Sequence, residues 1–540
     1  IGHTKAAAGV AGLIKAAMAL KHQVLPPSIK VDEPLEIINP GSAPIYLNTI
    51  KRPWLKTLET PRRAALSALG FGGSNFHCVL EEAEAAKQDV DWNGHVLIVA
   101  LSADSKDDLI KQFPDKDVID SWNNLRHFAF DSCQSFDSTS SHRLTLVIEK
   151  DNVDVEKLFA DIKNQLEQKD ETEWSLPGIV YSSKQSDHKV AFAFPGQGSQ
   201  YIGMERDLVC QFPQAFAALE DANHVFNQNT KEALSNIIYP IPVFAKDDQQ
   251  QQEETLRQTQ NAQPAIGAVS LGALNVLRYF GVEADIAVGH SYGELTALHA
   301  AGYYDAESFH GLSRTRGELM NEGEGDRGSM LAVVADKEQV EQLLEKNSIE
   351  LVIANHNSPK QVVLSGATDQ IESFSKIAKS EKIRAIRLPV AAAFHSAFVA
   401  DAAKPFAEAI AKVQFQKNQL PVLSNTTSEA YPDGRDGIKK LLAEQLANPV
   451  RFVEQVERLY KEGVDTFIEV GPGKTLTGLI GSILTDKPVT NIAIDASVGK
   501  KQGQYDLAIL LATLAAKGIK FDLNKWDACS FNLDRPEEGS

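Results

Sequence analysis

Ile286-Ala287-Val288-Gly289-His290-Ser291-Tyr292-Gly293-Glu294 passes from an apolar run, through Gly-x-Ser-x-Gly, into Leu295-Thr296-Ala297-Leu298-His299-Ala300-Ala301. The apolar run reads as a short buried strand and the following residues as a helix. Strand, Gly-x-Ser-x-Gly, helix is the context of a nucleophile elbow, a turn so sharp that its flanking residues must be small. Gly289 and Gly293 meet that need, and the turn lifts the Ser291 hydroxyl toward the positive end of the helix. The plain alternative is a glycine/serine loop that starts a helix, and the pentapeptide alone leaves both readings open.

Bulk properties narrow the setting. A chain of 540 residues exceeds one core and predicts three or four units at ~150 residues each. Hydrophobic residues make up 43% and charged ones 23%, as in soluble globular proteins. The net charge of -18, with no basic tract to offset it, argues against nucleic acid. The Cys78, Cys133, Cys210 and Cys529 thiols lie far apart, in no metal-type spacing, and suit a reducing, cytoplasmic setting. No apolar run approaches the ~20 residues that span a bilayer, so no membrane partner is expected. The first residue is Ile and no signal-like segment follows, which suggests a piece of something longer.

Working outward, Val190-Ala191-Phe192-Ala193-Phe194 reads as a strand that ends in Pro195-Gly196-Gln197-Gly198-Ser199-Gln200. Such glycines let the backbone approach a ligand with N–H groups outward. That suits a serine elbow, which needs a second backbone donor beyond its own Tyr292 N–H. After the elbow come Ser313-Arg314-Thr315-Arg316-Gly317-Glu318-Leu319-Met320 and, much later, Val390-Ala391-Ala392-Ala393-Phe394-His395-Ser396. Two arginines on a helix are usually a solvated face, and a lone histidine in an apolar run is usually a satisfied core group.

Taken together, these stretches resemble the malonyl-type acyltransferases of fatty acid and polyketide synthases. The resemblance implies Ser291 as nucleophile and His395 as its base, with the Gln197 and Tyr292 N–H groups as the oxyanion hole. It implies that Arg316, followed by glycine and four residues on by methionine, grips the malonyl carboxylate. A planar guanidinium can do this with two parallel bonds. Arg314 does not fit that pattern. Asn357, in Asn357-Ser358-Pro359, falls at the cleft. Phe394 stands where malonyl-specific members commonly have Phe, although Ala392 replaces the histidine of the common pattern. Gln445-Leu446-Ala447-Asn448-Pro449-Val450 matches the stretch whose glutamine carbonyl, here that of Gln445, orients the histidine. Asn425 is a further family-like position near the cleft. Glu469-Val470-Gly471-Pro472-Gly473-Lys474-Thr475 looks like a phosphate cradle, but in the acyltransferase pattern it is structural.

The rest of the chain extends the resemblance. Ile1-Gly2-His3-Thr4-Lys5 and Phe71-Gly72-Gly73-Ser74-Asn75 resemble the C-terminal end of a ketosynthase, whose nucleophilic cysteine would lie upstream. His3 is then a bystander here. The expected organisation is α/β throughout. Residues 1–83 form the ketosynthase fragment and 84–188 a small α/β linker domain. Residues 189–327 and 389–488 form a hydrolase-like parallel-sheet core. Strand-helix-strand-strand-helix-strand over 328–388 suggests a ferredoxin-like subdomain. Residues 489–540 resemble a post-acyltransferase linker that folds back along the linker domain toward the first segment.

The function implied is malonyl-coenzyme A:acyl carrier protein acyltransfer through a malonyl-serine ester, within an iterative synthase. Tyr46-Leu47-Asn48-Thr49 and Arg52-Pro53-Trp54 look most like synthases of polyunsaturated fatty acids, with enediyne-type synthases as near relatives. No tightly bound cofactor is expected. The substrates are malonyl-coenzyme A and the phosphopantetheine of an acyl carrier protein, and the other partner is the ketosynthase. A serine thioesterase or other hydrolase is the rival reading, since it shares Gly-x-Ser-x-Gly.

Overall fold

The computed structural model describes residues 3–528 except 36–37, 39–44, 57–59, 84–85, 151–153, 169–170, 186, 228–231, 322–325 and 391. Its centre is a five-stranded sheet in the order Val422–Leu423, Ile286–Gly289, Val190–Phe194, Thr466–Glu469 and Thr490–Ala493. Every pairing in it is parallel. Short apolar runs suit such strands, because helices cover both faces of a parallel sheet. All five residues of Val190–Phe194 and all four of Ile286–Gly289 are buried. The edge strand Thr490–Ala493 falls past residue 488, so the strand read in the tail belongs to this sheet.

Inserted after the helix Ala306–Asn321 is a four-stranded sheet in the order Val352–Ser358, Gln361–Gly366, Ser329–Val333, Ala385–Arg387. All its pairings are antiparallel. The helices Lys337–Lys346 and Thr368–Ser380 complete a ferredoxin-like unit with its own core around Leu331, Val340, Leu364 and Phe374. It docks on the large subdomain through backbone bonds, His356 N–H to Val450 O (2.9 Å) and Val450 N–H to Ala354 O (2.8 Å).

Before the large subdomain lies a small α/β domain with a four-stranded antiparallel sheet, in the order Val96–Ala103, His142–Glu149, Ile179–Ser182, Glu173–Leu176. The tail helix Gly503–Lys517 packs on this sheet. Arg143, buried, donates from Nε to the Ala516 carbonyl at 3.0 Å. The Thr145 hydroxyl donates to Ala512 O at 2.9 Å. Beyond the helix, Asp527 takes both Arg126 Nε (2.5 Å) and Nη2 (2.6 Å).

The first segment is held by the large subdomain and, at His22, by Asp91 (2.5 Å) and Lys87 (2.7 Å) of the linker domain. Arg52 donates to the Tyr239 carbonyl from Nε at 3.0 Å and Nη2 at 2.6 Å. Arg62 bridges Glu82 (2.7 Å) and Glu220 (2.5 Å), and Lys51 pairs with Asp207 at 2.6 Å. The described part of the tail expected to reach this segment lies on the linker sheet, and residues 529–540 are outside the described ones. His3 is exposed. The helix Ala8–His22 and the hairpin Arg63–Leu69/Asn75–Glu81 leave Val10, Ile14, Phe71 and Phe76 exposed.

Candidate active site

The elbow forms because three glycines permit contacts that no side chain would. A Cβ on Gly289 would fall 2.1 Å from the Gly293 carbonyl carbon, and one on Gly293 would fall 2.0 Å from the Phe194 oxygen. A Cβ on Gly196 would fall 2.3 Å from the His290 oxygen. These are backbone neighbours and cannot swing aside. The Pro195–Ser199 loop therefore lies against the elbow, and that same Cβ position is 3.5 Å from the Tyr292 nitrogen. Ser291 takes φ 51° and His395 φ 56°. Both are left-handed conformations that cost a non-glycine residue on the order of 1–3 kcal/mol, and such strain collects at functional sites.

The two strained residues meet. Ser291 Oγ lies 2.8 Å from His395 Nε2. On the other side of the ring, Nδ1 faces two backbone carbonyls, Asn448 O at 2.9 Å and Gln445 O at 3.2 Å. With Nδ1–H donating to these carbonyls, Nε2 is left unprotonated toward the serine, which is the tautomer a base needs. Burial, and then the nearby Arg316 charge, push the His395 pKa down to about 3. The imidazole is thus neutral at neutral pH.

Arg316 is 2% exposed. Burial lowers its pKa to about 10, so it stays charged at neutral pH. Among the described residues its bonding partners are neutral oxygens. Nη1 donates to Gln263 Oε1 (2.7 Å) and Nη2 to Gln445 Oε1 (3.1 Å). They leave the guanidinium with spare donors, and among the described residues no carboxylate pairs with it directly, Glu294 acting on it only at longer range, a setting that favours an anionic guest. Arg314 turns away and donates to Val225 O at 2.7 Å.

Glutamines wire these groups together. Gln445 Nε2 donates to Ser291 O at 2.8 Å. Gln263 Nε2 reaches Gln197 Oε1 at 3.3 Å, and Gln197 Nε2 reaches Thr259 Oγ1 at 3.2 Å. Gln263 and the Gln445 side chain escape a sequence reading. Gln263 lies inside the helix Thr259–Tyr279, where nothing in its neighbours marks it. Asn357, expected at the cleft, uses its Oδ1 to accept from His290 Nε2 at 2.7 Å and so joins the inserted subdomain to the elbow. Phe394 is buried beside His395, and its carbonyl accepts from Ser365 Oγ at 2.8 Å.

The glycine turn after Thr466–Glu469 is filled by a side chain of its own strand, whose pKa burial raises to about 7. Glu469 accepts from Leu476 N–H (3.0 Å) and Thr477 N–H (2.7 Å). A carboxyl group already occupies the helix N-terminus where a phosphate would bind, which accords with the structural reading.

The acyl transferase domain family matches residues 191–519. The beta-ketoacyl synthase C-terminal domain family matches residues 1–32. One component of the polyunsaturated fatty acid synthase of Thraustochytrium sp. is 31% identical over 98% of this chain, which spans only 20% of that protein. The malonyl CoA-acyl carrier protein transacylase of Bacillus subtilis is 37% identical over 55% of this chain and 90% of its own length. Among solved structures, the acyltransferase domain from the second module of the salinomycin polyketide synthase superposes with a TM-score of 0.61. It is 25% identical and covers 83% of this chain and 98% of its own.

Proposed function

This chain belongs to the acyl transferase domain family, and we propose that it moves malonyl groups from coenzyme A to an acyl carrier protein through an ester on Ser291. The observation that carries this reading is the 2.8 Å contact between Ser291 Oγ and His395 Nε2, with Arg316 buried on the same glutamine network.

In the first half-reaction Ser291 Oγ attacks the thioester carbonyl while its proton passes to His395 Nε2. The oxyanion forms at the Gln197 and Tyr292 N–H groups, each such donor being worth about 2.7–4 kcal/mol. Collapse expels the coenzyme A thiolate, which takes the proton back from the imidazolium. The malonyl carboxylate replaces neutral oxygens on Arg316. In the second half-reaction the phosphopantetheine thiol attacks the ester, giving its proton to His395. That proton returns to Ser291 Oγ as the acyl group leaves. Carbonyl dipoles at Nδ1, rather than a full carboxylate charge, hold the imidazole.

The resemblance over 1–32 and over almost the whole chain supports placing this acyltransferase inside a multidomain synthase of polyunsaturated fatty acids or polyketides. Intact mass spectrometry after mixing with malonyl-coenzyme A tests the chemistry. Wild type gains one malonyl group and passes it to an added carrier, and Ser291→Ala gains none. An adduct on Ser291→Ala overturns the assignment. Rapid free malonate with no carrier turns the reading to a hydrolase.

A further inference from the structure

We propose that Asn425 is the positioning residue of the nucleophile, its side-chain amide supplying the rung of the central sheet that its own backbone does not make. This rests on Ser291 being the acylated residue.

The elbow strand and its neighbour Val422–Leu423 run parallel, with Ala287 opposite Val422 and Val288 opposite Leu423. Continuing that register sets His290 opposite Asn425. In a parallel ladder, the residue opposite position 290 donates to the carbonyl of 289 and accepts from the N–H of 291. The backbone of Asn425 does neither. Its N–H goes to Glu294 Oε2 at 3.0 Å, and its carbonyl accepts from Arg451 N–H at 3.0 Å. The side chain makes both missing bonds instead. Nδ2 donates to Gly289 O at 2.6 Å, and Oδ1 accepts from Ser291 N–H at 2.7 Å.

The amide can sit only one way round. A flip would face N–H against N–H at Ser291 and oxygen against oxygen at Gly289. A third bond, Nδ2 to Gln455 Oε1 at 3.2 Å, fixes it further, and Gln455 Nε2 is itself tied to Leu423 O at 3.0 Å. Glu294, which holds the Asn425 N–H, also accepts from the Tyr431 hydroxyl. Asn425, Glu294 and Gln455 are all fully buried. The clamp grips the chain on both sides of His290, where the backbone leaves the strand for φ 51° at Ser291. On the opposite side His290 N–H is held by Phe194 O at 3.0 Å. The serine is therefore pinned from both neighbouring strands, although the strand on one side has already ended.

The test is the rate of malonyl-serine ester formation at saturating malonyl-coenzyme A, read by quenched-flow mass spectrometry for wild type, Asn425→Ala and Asn425→Asp. Asp keeps the acceptor for Ser291 N–H but sets an oxygen against the Gly289 carbonyl. Both variants are expected to slow acylation about 100-fold, the scale of an ångström of misplacement. The KM should stay within about twofold for both variants, and for Asn425→Ala, which adds no charge, the acid limb of the pH profile should not move, because Arg316 and His395 are untouched. Acylation of Asn425→Ala at the wild-type rate overturns the role, as does a loss confined to KM. Should Asn425→Ala fail to fold, Gln455→Ala carries the test. A smaller slowing of the same step supports the clamp, and an unchanged rate overturns it. A wild type that takes no label on Ser291 overturns the catalytic reading itself.

Discussion

His395 shows how much one residue's setting departs from its type. A free imidazole titrates near ~6.5, whereas burial and then the Arg316 charge bring this one down to about 3. The neutral, competent base therefore persists well below pH 6.5. The acid limb of kcat/KM, which reports the free enzyme, is expected below pH 5, and a midpoint at or above 6.5 would contradict the geometry. Removing the guanidinium removes one of the two causes, so Arg316→Ala should shift that limb toward higher pH. The same variant should lose about 10- to 100-fold in malonyl transfer, the worth of a charge-assisted bond. It should gain relative acceptance of acetyl-coenzyme A. An unchanged acetyl/malonyl ratio takes Arg316 out of carboxylate binding. Arg316 and Arg314 are two residues apart on one helix, and in the sequence only the pattern of following residues tells them apart.

At the scale of elements, the strand Ile286–Gly289 and helix Gly293–Ala300 join through a turn with no spare volume. Gly293→Ala would put a methyl 2.0 Å from the Phe194 oxygen, which belongs to the adjoining strand. Strand and helix would have to part. The expected cost is at least about 3 kcal/mol, at the upper end of overpacking. Thermal melts should show a clear fall or no folded protein, and a wild-type melting temperature would mean that the elbow relaxes freely. This element was legible in the sequence because its requirements are local: small residues at fixed spacing between an apolar run and a helix. The inserted sheet was legible for a similar reason, since its strands and helices alternate in a recognisable rhythm. The Asn425 clamp was legible only as a position near a cleft. Its role depends on the register between two strands far apart in the chain.

For the whole molecule, the linker domain and tail act as one support. Arg143 is 0% exposed and ties the end of the tail helix to the linker sheet. Arg143→Ala leaves buried carbonyls without a donor, a loss of about 1.5–3 kcal/mol for a bond to a charged group. The tail helix is expected to show faster amide exchange, while the Ser291 region keeps wild-type protection. Equal exchange in the tail would deny Arg143 that role. Residues 1–83 are bound to the large subdomain by Arg52, Arg62 and Lys51. Deleting them should lower thermal stability and solubility, and a truncated chain as stable as the parent would show these contacts to be idle.

What the linear chain determined by itself was the set of elements, because apolar periodicity and glycine spacing act over a few residues, while the serine, histidine and arginine were singled out by their resemblance to the acyltransferases. Which carbonyls face His395, which glutamines hold Arg316 and what braces Ser291 were decided only when distant segments packed. A hydrogen bond is made by distance and angle, and no spacing along a chain specifies either.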